Sequence, residues 1–228
     1  MSVPAPRPAS IGIEGGGRIS GLVQGADGAR ACLVLAHGAG AGMAHAFMTA
    51  VAAGLAGRGV ATLRYQFPYM ERGAKRPDPP KVAQAAVRAA VAEGRRLFPE
   101  LPLFAGGKSF GGRMTSQAQA ESALPGVRGL AFLGFPLHAP GKASDERGRH
   151  LFEVEIPMLF LQGSRDDFAD MALLAPLVER LGARALLKVL PQADHSFHVS
   201  ARSGRTDPEA REELIAALAG WIEAVALG

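Results

Sequence analysis

Three side chains in this sequence, taken together, could carry acyl transfer: Ser109, Asp166 and His195. A serine hydroxyl is a poor nucleophile at neutral pH. It needs a base within hydrogen-bond reach, and the base needs an acceptor that holds its tautomer and offsets its developing charge. Ser109 stands in Gly106-Gly107-Lys108-Ser109-Phe110-Gly111-Gly112, after the apolar run Leu103-Phe104-Ala105 and before a small-residue amphipathic run that includes Met114. Glycines two residues to either side of a serine remove the side chains that would clash where the backbone turns sharply. Short Gly/Ser patterns recur by chance, and a serine ahead of a helix is often only its N-cap. A strand pattern before it and a helix pattern after it make the nucleophile the better reading.

His195, in Ala193-Asp194-His195-Ser196-Phe197, is the base this reading selects, with His198 its rival three residues on. The acid is Asp166, in Gln162-Gly163-Ser164-Arg165-Asp166; Asp167 and Asp194 are the alternatives, and Asp194, next to His195 in the chain, is expected to point away from the imidazole face in use. The oxyanion formed by serine attack needs fixed donors, typically two backbone N–H groups. Phe110 supplies one, at the start of the helix where the dipole favours negative charge. The other is expected from the glycine-rich loop after His37, where backbone can approach substrate without side-chain obstruction.

These residues fall at the C-terminal ends of predicted strands, where ligands bind in an open parallel sheet. Ile11 to Ile13 and Ile19 to Val23 read as a hairpin at a sheet edge around Gly15-Gly16-Gly17. Cys32 to Ala36 is continuously apolar, as a strand covered on both faces requires, and Val60 to Tyr65, Leu103 to Ala105, Gly129 to Phe135, Pro157 to Gln162 and Ala185 to Leu190 read as further strands. Between them lie helical patterns from Met43 to about Gly57, from Val82 to Phe98, after Ser109, and over Met171 to Leu181; the last helix carries Leu214, Leu218, Trp221 and Val225 on one face. Gln66 to Tyr69 reads as a loop, and residues 139–155 as a polar connection too short for a lid domain. The expected fold is α/β, with about eight strands in a mostly parallel sheet and helices on both faces. Residues 1–9, with three prolines, read as a loose arm, and 10–228 as one domain.

Pocket residues expected at the strand ends are His37, Gly40, His45, Phe67, Tyr69, Lys108, Phe135 and His138, although aromatics there serve as often in the core. Beside the nucleophile, the Lys108 ammonium would attract an anionic substrate, pair with a carboxylate or stay solvated.

Composition narrows the partners. A 48% hydrophobic content among 228 residues excludes a wholly disordered chain, and no apolar run approaches membrane-spanning length. The net charge of +4 comes from scattered arginines, with no basic stripe interleaved with aromatics, so neither nucleic acid nor membrane is expected as a partner. The single cysteine, Cys32, excludes an intrachain disulfide, and the N-terminus has no apolar signal region, so the expected setting is the cytoplasm.

The segments HGAGAGMAHAFM (37–48), RYQFPY (64–69), GGKSFGGRM (106–114), GFPLHAPGK (134–142), LQGSRD (161–166) and ADHSF (193–197) resemble the α/β-hydrolases, and within them the small lidless dienelactone-hydrolase-like group related to Tex30 and KANSL-type proteins. The order Ser, Asp, His along the chain is the one that fold uses. The resemblance implies Ser109, Asp166 and His195 as triad and Ala39 as the second oxyanion donor, with Gly40 close behind. It also implies that this is no dienelactone hydrolase in the strict sense, since those place a cysteine where Ser109 stands and Cys32 lies in the wrong strand. The expected activity is that of a metal- and cofactor-independent serine hydrolase of carboxylesterase or thioesterase type, acting on a small ester or thioester. The alternative is a hydrolase fold serving as a catalytically silent interaction module.

Overall fold

The computed structural model describes residues 4–228. In chain order its elements are β1 (Arg7–Gly12), β2 (Arg18–Gln24), β3 (Ala31–Ala36), α1 (Ala46–Ala56), β4 (Val60–Tyr65), α2 (Pro68–Glu71), α3 (Pro80–Leu97), β5 (Leu103–Lys108), α4 (Phe110–Glu121), β6 (Val127–Leu133), β7 (Met158–Gly163), α5 (Met171–Leu181), β8 (Ala185–Leu190) and α6 (Asp207–Leu227). The eight strands form one sheet in the order β1-β2-β4-β3-β5-β6-β7-β8. β1 and β2 pair antiparallel, as does β2 with β4, and the remaining pairs are parallel.

Strands β3 to β7 bury apolar residues on both of their faces. Val34, Ala105, Phe132 and Phe160 point to the layer that holds α3, α4 and α5. Their neighbours Leu33, Phe104, Ala131 and Leu159 point to the opposite layer, against α1 and α6. This is the two-residue alternation of a strand buried on both sides. α3 lies against the sheet with Ala83, Ala86, Val87, Ala90 and Val91 buried, and α6 is started by a capping box between Thr206 and Glu209. Between β6 and β7 the chain makes only a short 3₁₀ segment, Glu146–Glu153, and no lid domain.

Three sequence expectations change. Residues 7–9 are not a loose arm: Arg7, Pro8 and Ala9 pair with Val23, Leu22 and Gly21, and Pro8 is tolerated because β1 is an edge strand. Residues 1–3 of that expected arm lie outside the described residues. Residues 68–71 are a helical turn rather than open loop, since a proline at the first helical position is pre-set for it and loses no bond there. The helix expected from Met43 begins only at Ala46, with His45 as its cap. No helix among the described residues is long and apolar enough to cross a membrane.

Candidate active site

Ser109 sits between β5 and α4 with φ 49° and ψ −115°, a left-handed conformation that costs a non-glycine residue about 1–3 kcal/mol. The turn is tight because strand and helix nearly touch their neighbours. A Cβ on Gly107 would lie 2.5 Å from the Ala36 carbonyl oxygen, and one on Gly111 would lie 2.5 Å from that of His37. The N-cap alternative does not describe Ser109, whose side chain makes no capping bond to α4. Its Oγ lies 2.8 Å from His195 Nε2 instead.

His195 comes from the loop after β8 and Asp166 from the loop after β7. The imidazole Nδ1 is 2.7 Å from Asp166 Oδ2. A carboxylate can only accept, so Nδ1 carries the proton and Nε2 is left to accept from the Ser109 hydroxyl. Asp166 is itself held: Oδ2 accepts from Gln162 Nε2 at 2.5 Å and Oδ1 from the Phe168 backbone N–H at 2.8 Å. Its side chain is fully buried, while that of His195 is 18% exposed, open enough to meet a ligand. Phe168 stacks on the imidazole at 4.2 Å between ring centroids.

The rivals have other work. His198 is exposed and pairs with Asp207 at 2.9 Å. Asp194 accepts the N–H groups of Ser196 and His198 at 2.7 and 2.9 Å, which folds the histidine loop, and Asp167 is exposed. Cys32 is buried in β3, and burial pushes its thiol up to about 12, far from a usable thiolate.

The Phe110 and Ala39 N–H groups have no hydrogen-bond partner among the described residues. Gly40 differs, because its N–H donates to Tyr69 Oη at 2.9 Å. His37 is buried beneath the same loop: Nδ1–H donates to the Gly38 carbonyl at 2.7 Å and Nε2 accepts the Phe67 N–H at 3.1 Å. The bond from Phe67 requires a neutral ring with Nε2 unprotonated, and burial, opposed in part by the Gly38 bond, holds the pKa below the usual histidine value.

A cleft of about 310 Å³ opens over Ser109, lined by Ala39, Ala41, Phe47, Met48 and Phe168 among others. Of the expected pocket residues only His45 and Lys108 line it. Phe67 and Tyr69 are fully buried, with Phe67 packed edge-on to His37 and Phe110. Phe135 packs on Phe132 and Phe160, and His138 Nε2 accepts the Asp170 N–H at 2.8 Å. His37, Gly40, Phe67, Tyr69, Phe135 and His138 are therefore corrected from pocket lining to supports of the loops. At a strand end the side chain turns into one of the packed layers, and only the loop beyond reaches the ligand. Gln162, Phe47, Met48 and Phe168 are the neighbours that sequence reasoning did not place at the site. Phe168 lies two residues past the acid, with no spacing signal to find it. A larger depression of about 610 Å³ lies on the far side of the acid loop, but Ser109 does not line it.

A second Ser–His pair exists, with Ser116 Oγ 2.8 Å from His150 Nε2. Ser116 is fully buried within α4, and no carboxylate bonds His150 among the described residues. Burial, with Arg113 next in effect, pushes His150 down to about 4. The pair fastens the 3₁₀ segment to α4. No group of three or more metal-ligating side chains occurs among the described residues.

Comparison with solved structures shows the same fold. A lidless α/β serine hydrolase, XC6422 from Xanthomonas campestris, is 20% identical with a TM-score of 0.75, the match covering 97% of each chain. A dienelactone hydrolase from Anabaena variabilis is 20% identical with a TM-score of 0.77, covering 98% of this chain and 99% of that one. The esterase domain of a Rhodothermus marinus protein is 16% identical with a TM-score of 0.71, over 96% of this chain and 98% of the other. The alpha/beta hydrolase domain family matches residues 29–223, which hold six of the eight strands and nearly all of the helices, and the chain belongs to that family.

Proposed function

We propose that the protein is a serine hydrolase that cleaves a small carboxylic ester or thioester through a covalent acyl-enzyme. The observation that carries this reading is the unbroken line from Ser109 Oγ to His195 Nε2 at 2.8 Å and from His195 Nδ1 to Asp166 Oδ2 at 2.7 Å. Ser109 Oγ attacks the carbonyl carbon while His195 Nε2 takes its proton. Asp166 stays ionised and stabilises the imidazolium. The oxyanion is met by the Phe110 and Ala39 N–H groups. As the tetrahedral species collapses, Nε2–H protonates the leaving alkoxide or thiolate. Water then repeats the sequence on the acyl-serine, with His195 again as base. The names of the structural neighbours, a serine hydrolase and an esterase among them, agree with this chemistry. The apolar cleft suits a small uncharged acyl group.

The test is labelling with a fluorophosphonate probe beside a panel of p-nitrophenyl esters of increasing acyl length. Folded wild-type protein is expected to label and turn over the shorter esters, and Ser109→Ala to do neither. Equal labelling of wild type and Ser109→Ala would sink the proposal, as would no labelling of the wild type.

A further inference from the structure

One charged side chain at the elbow, the tight β5–α4 turn that carries Ser109, is not used by the chemistry above. Lys108 is the last residue of β5, directly before Ser109. Its stem runs beside the oxyanion loop, with Cγ 3.4 Å from the position a Cβ on Gly38 would take. Lys108 lines the cleft, but its ammonium already has a protein partner. Nζ donates to the backbone carbonyl of His195 at 2.6 Å and lies 5.4 Å from the centre of the Phe197 ring. It also shares the space over Gly134: a Cβ there would be 3.1 Å from Lys108 Nζ, 3.4 Å from His195 Nδ1 and 3.5 Å from Asp166 Oδ2. Ammonium, imidazole and carboxylate thus pack over one glycine.

The loop that receives this contact is strained. Gln192 and Phe197 both hold φ 63°, a conformation that side chains disfavour and that persists only where the surroundings enforce it. His195 is otherwise fixed through its ring, by Asp166 at the edge and Phe168 at the face. Those contacts set the tilt of the imidazole, and neither bonds the His195 backbone. The bonds from Asp194 act within the loop itself. Lys108 alone among these joins the histidine's backbone to the strand that carries the nucleophile.

We propose that Lys108 is a positioning residue: a tether from the elbow to the His195 carbonyl that sets the separation of nucleophile and base, and not a group that binds substrate. Because Lys108 and Ser109 are consecutive, one hydrogen bond spans the gap between the backbones of the two reacting residues. The charge also explains why an ammonium is tolerated here. Its burial cost, which pulls it down to about 8, is opposed by the carboxylates of Asp166 and Asp194.

The tether rests on the reading of Ser109 and His195 as nucleophile and base, so its test includes a measurement that needs no turnover. Lys108→Met keeps the stem and loses the donor. It is expected to lower kcat on p-nitrophenyl acetate by about 10- to 100-fold with KM within about twofold, as for a misplaced catalytic group. Its thermal midpoint should stay close to that of wild type. The far-downfield proton NMR signal of His195 Nδ1–H, expected in wild type, should broaden or vanish. Lys108→Arg, which keeps charge and donors, should recover part of both. A folded Lys108→Met with wild-type kcat and an intact signal would overturn the tether, and so would a loss confined to KM, the mark of substrate binding. If Lys108→Met does not fold, Lys108→Arg decides alone: signal and kcat retained support the tether, and both lost in folded protein overturn it. Wild-type protein inactive on every ester, yet losing the signal in Lys108→Met, would remove the hydrolase reading and leave the tether standing.

Discussion

Asp166 shows how much one residue here depends on its immediate partners. Its Oδ2 accepts from both Gln162 and His195 and its Oδ1 from the Phe168 N–H, so an amide here turns its NH2 toward a donor in either orientation. Asp166→Asn should therefore keep the fold and lower kcat on the order of 10⁴-fold, because the imidazole would be driven to the wrong tautomer. Steady-state kinetics beside circular dichroism would check both halves of that statement. Tyr69 acts at one remove. Its hydroxyl holds the Gly40 N–H and so shapes the loop that presents Ala39. Tyr69→Phe deletes that single bond, and about a tenfold fall in kcat is expected, the worth of one neutral hydrogen bond of about 1.4 kcal/mol. A larger loss in KM than in kcat would show that the loop binds substrate instead.

At the scale of elements, the elbow exists because β3, β5 and α4 come within backbone contact of one another. Gly111 is the point of closest approach on the helix, with the His37 carbonyl and the Ala36 Cβ at 2.5 and 2.7 Å from its missing side chain. Both neighbours are held in place, so neither can give way. Gly111→Ala should cost about 3 kcal/mol of stability and lower the thermal midpoint by several degrees, while also displacing the Phe110 N–H. Differential scanning calorimetry with the fluorophosphonate labelling rate would detect the two effects together. Most of these elements were legible in the sequence, because strand runs and helical stripes follow from side-chain periodicity within each segment. The misreadings sit at ends. Pro68 marked a break in the sequence and became the first residue of a helical turn, and Pro8 hid a strand whose edge position makes the missing N–H harmless.

The whole molecule answers to pH through its buried titratable groups. His150 binds its proton near 6.5 when unfolded and only at about 4 when buried beside Arg113. Between these values the unfolded chain holds more protons, so stability rises with pH across the window and is lost as pH falls from about 6.5 toward 4. His37, also lowered by burial, acts in the same direction. His150→Gln should flatten the dependence of the thermal midpoint over pH 4 to 6.5, and an unchanged slope would assign the acid sensitivity elsewhere. Lys108 works at the other end. Its native value of about 8 lies below the ordinary 10.5, so the unfolded chain again holds the extra proton and this group adds stability as pH rises between them.

Taken alone, the sequence determined the order of the elements, the glycine-flanked serine after the fifth strand, an acid after the seventh and a histidine after the eighth. Each follows from local periodicity and from turn chemistry that neighbouring residues supply. Only the tertiary structure decided that His195 and not His198 meets Ser109, that Tyr69 occupies the Gly40 N–H while that of Ala39 has no partner among the described residues, and that six expected pocket residues support loops instead. It also gave Lys108 a partner. These outcomes turn on contacts between separate segments: 29 positions separate Gly40 from Tyr69, 86 separate Ser109 from His195, and 87 separate Lys108 from the His195 carbonyl. No local pattern encodes such a distance; it is set by how the sheet brings the ends of its strands together.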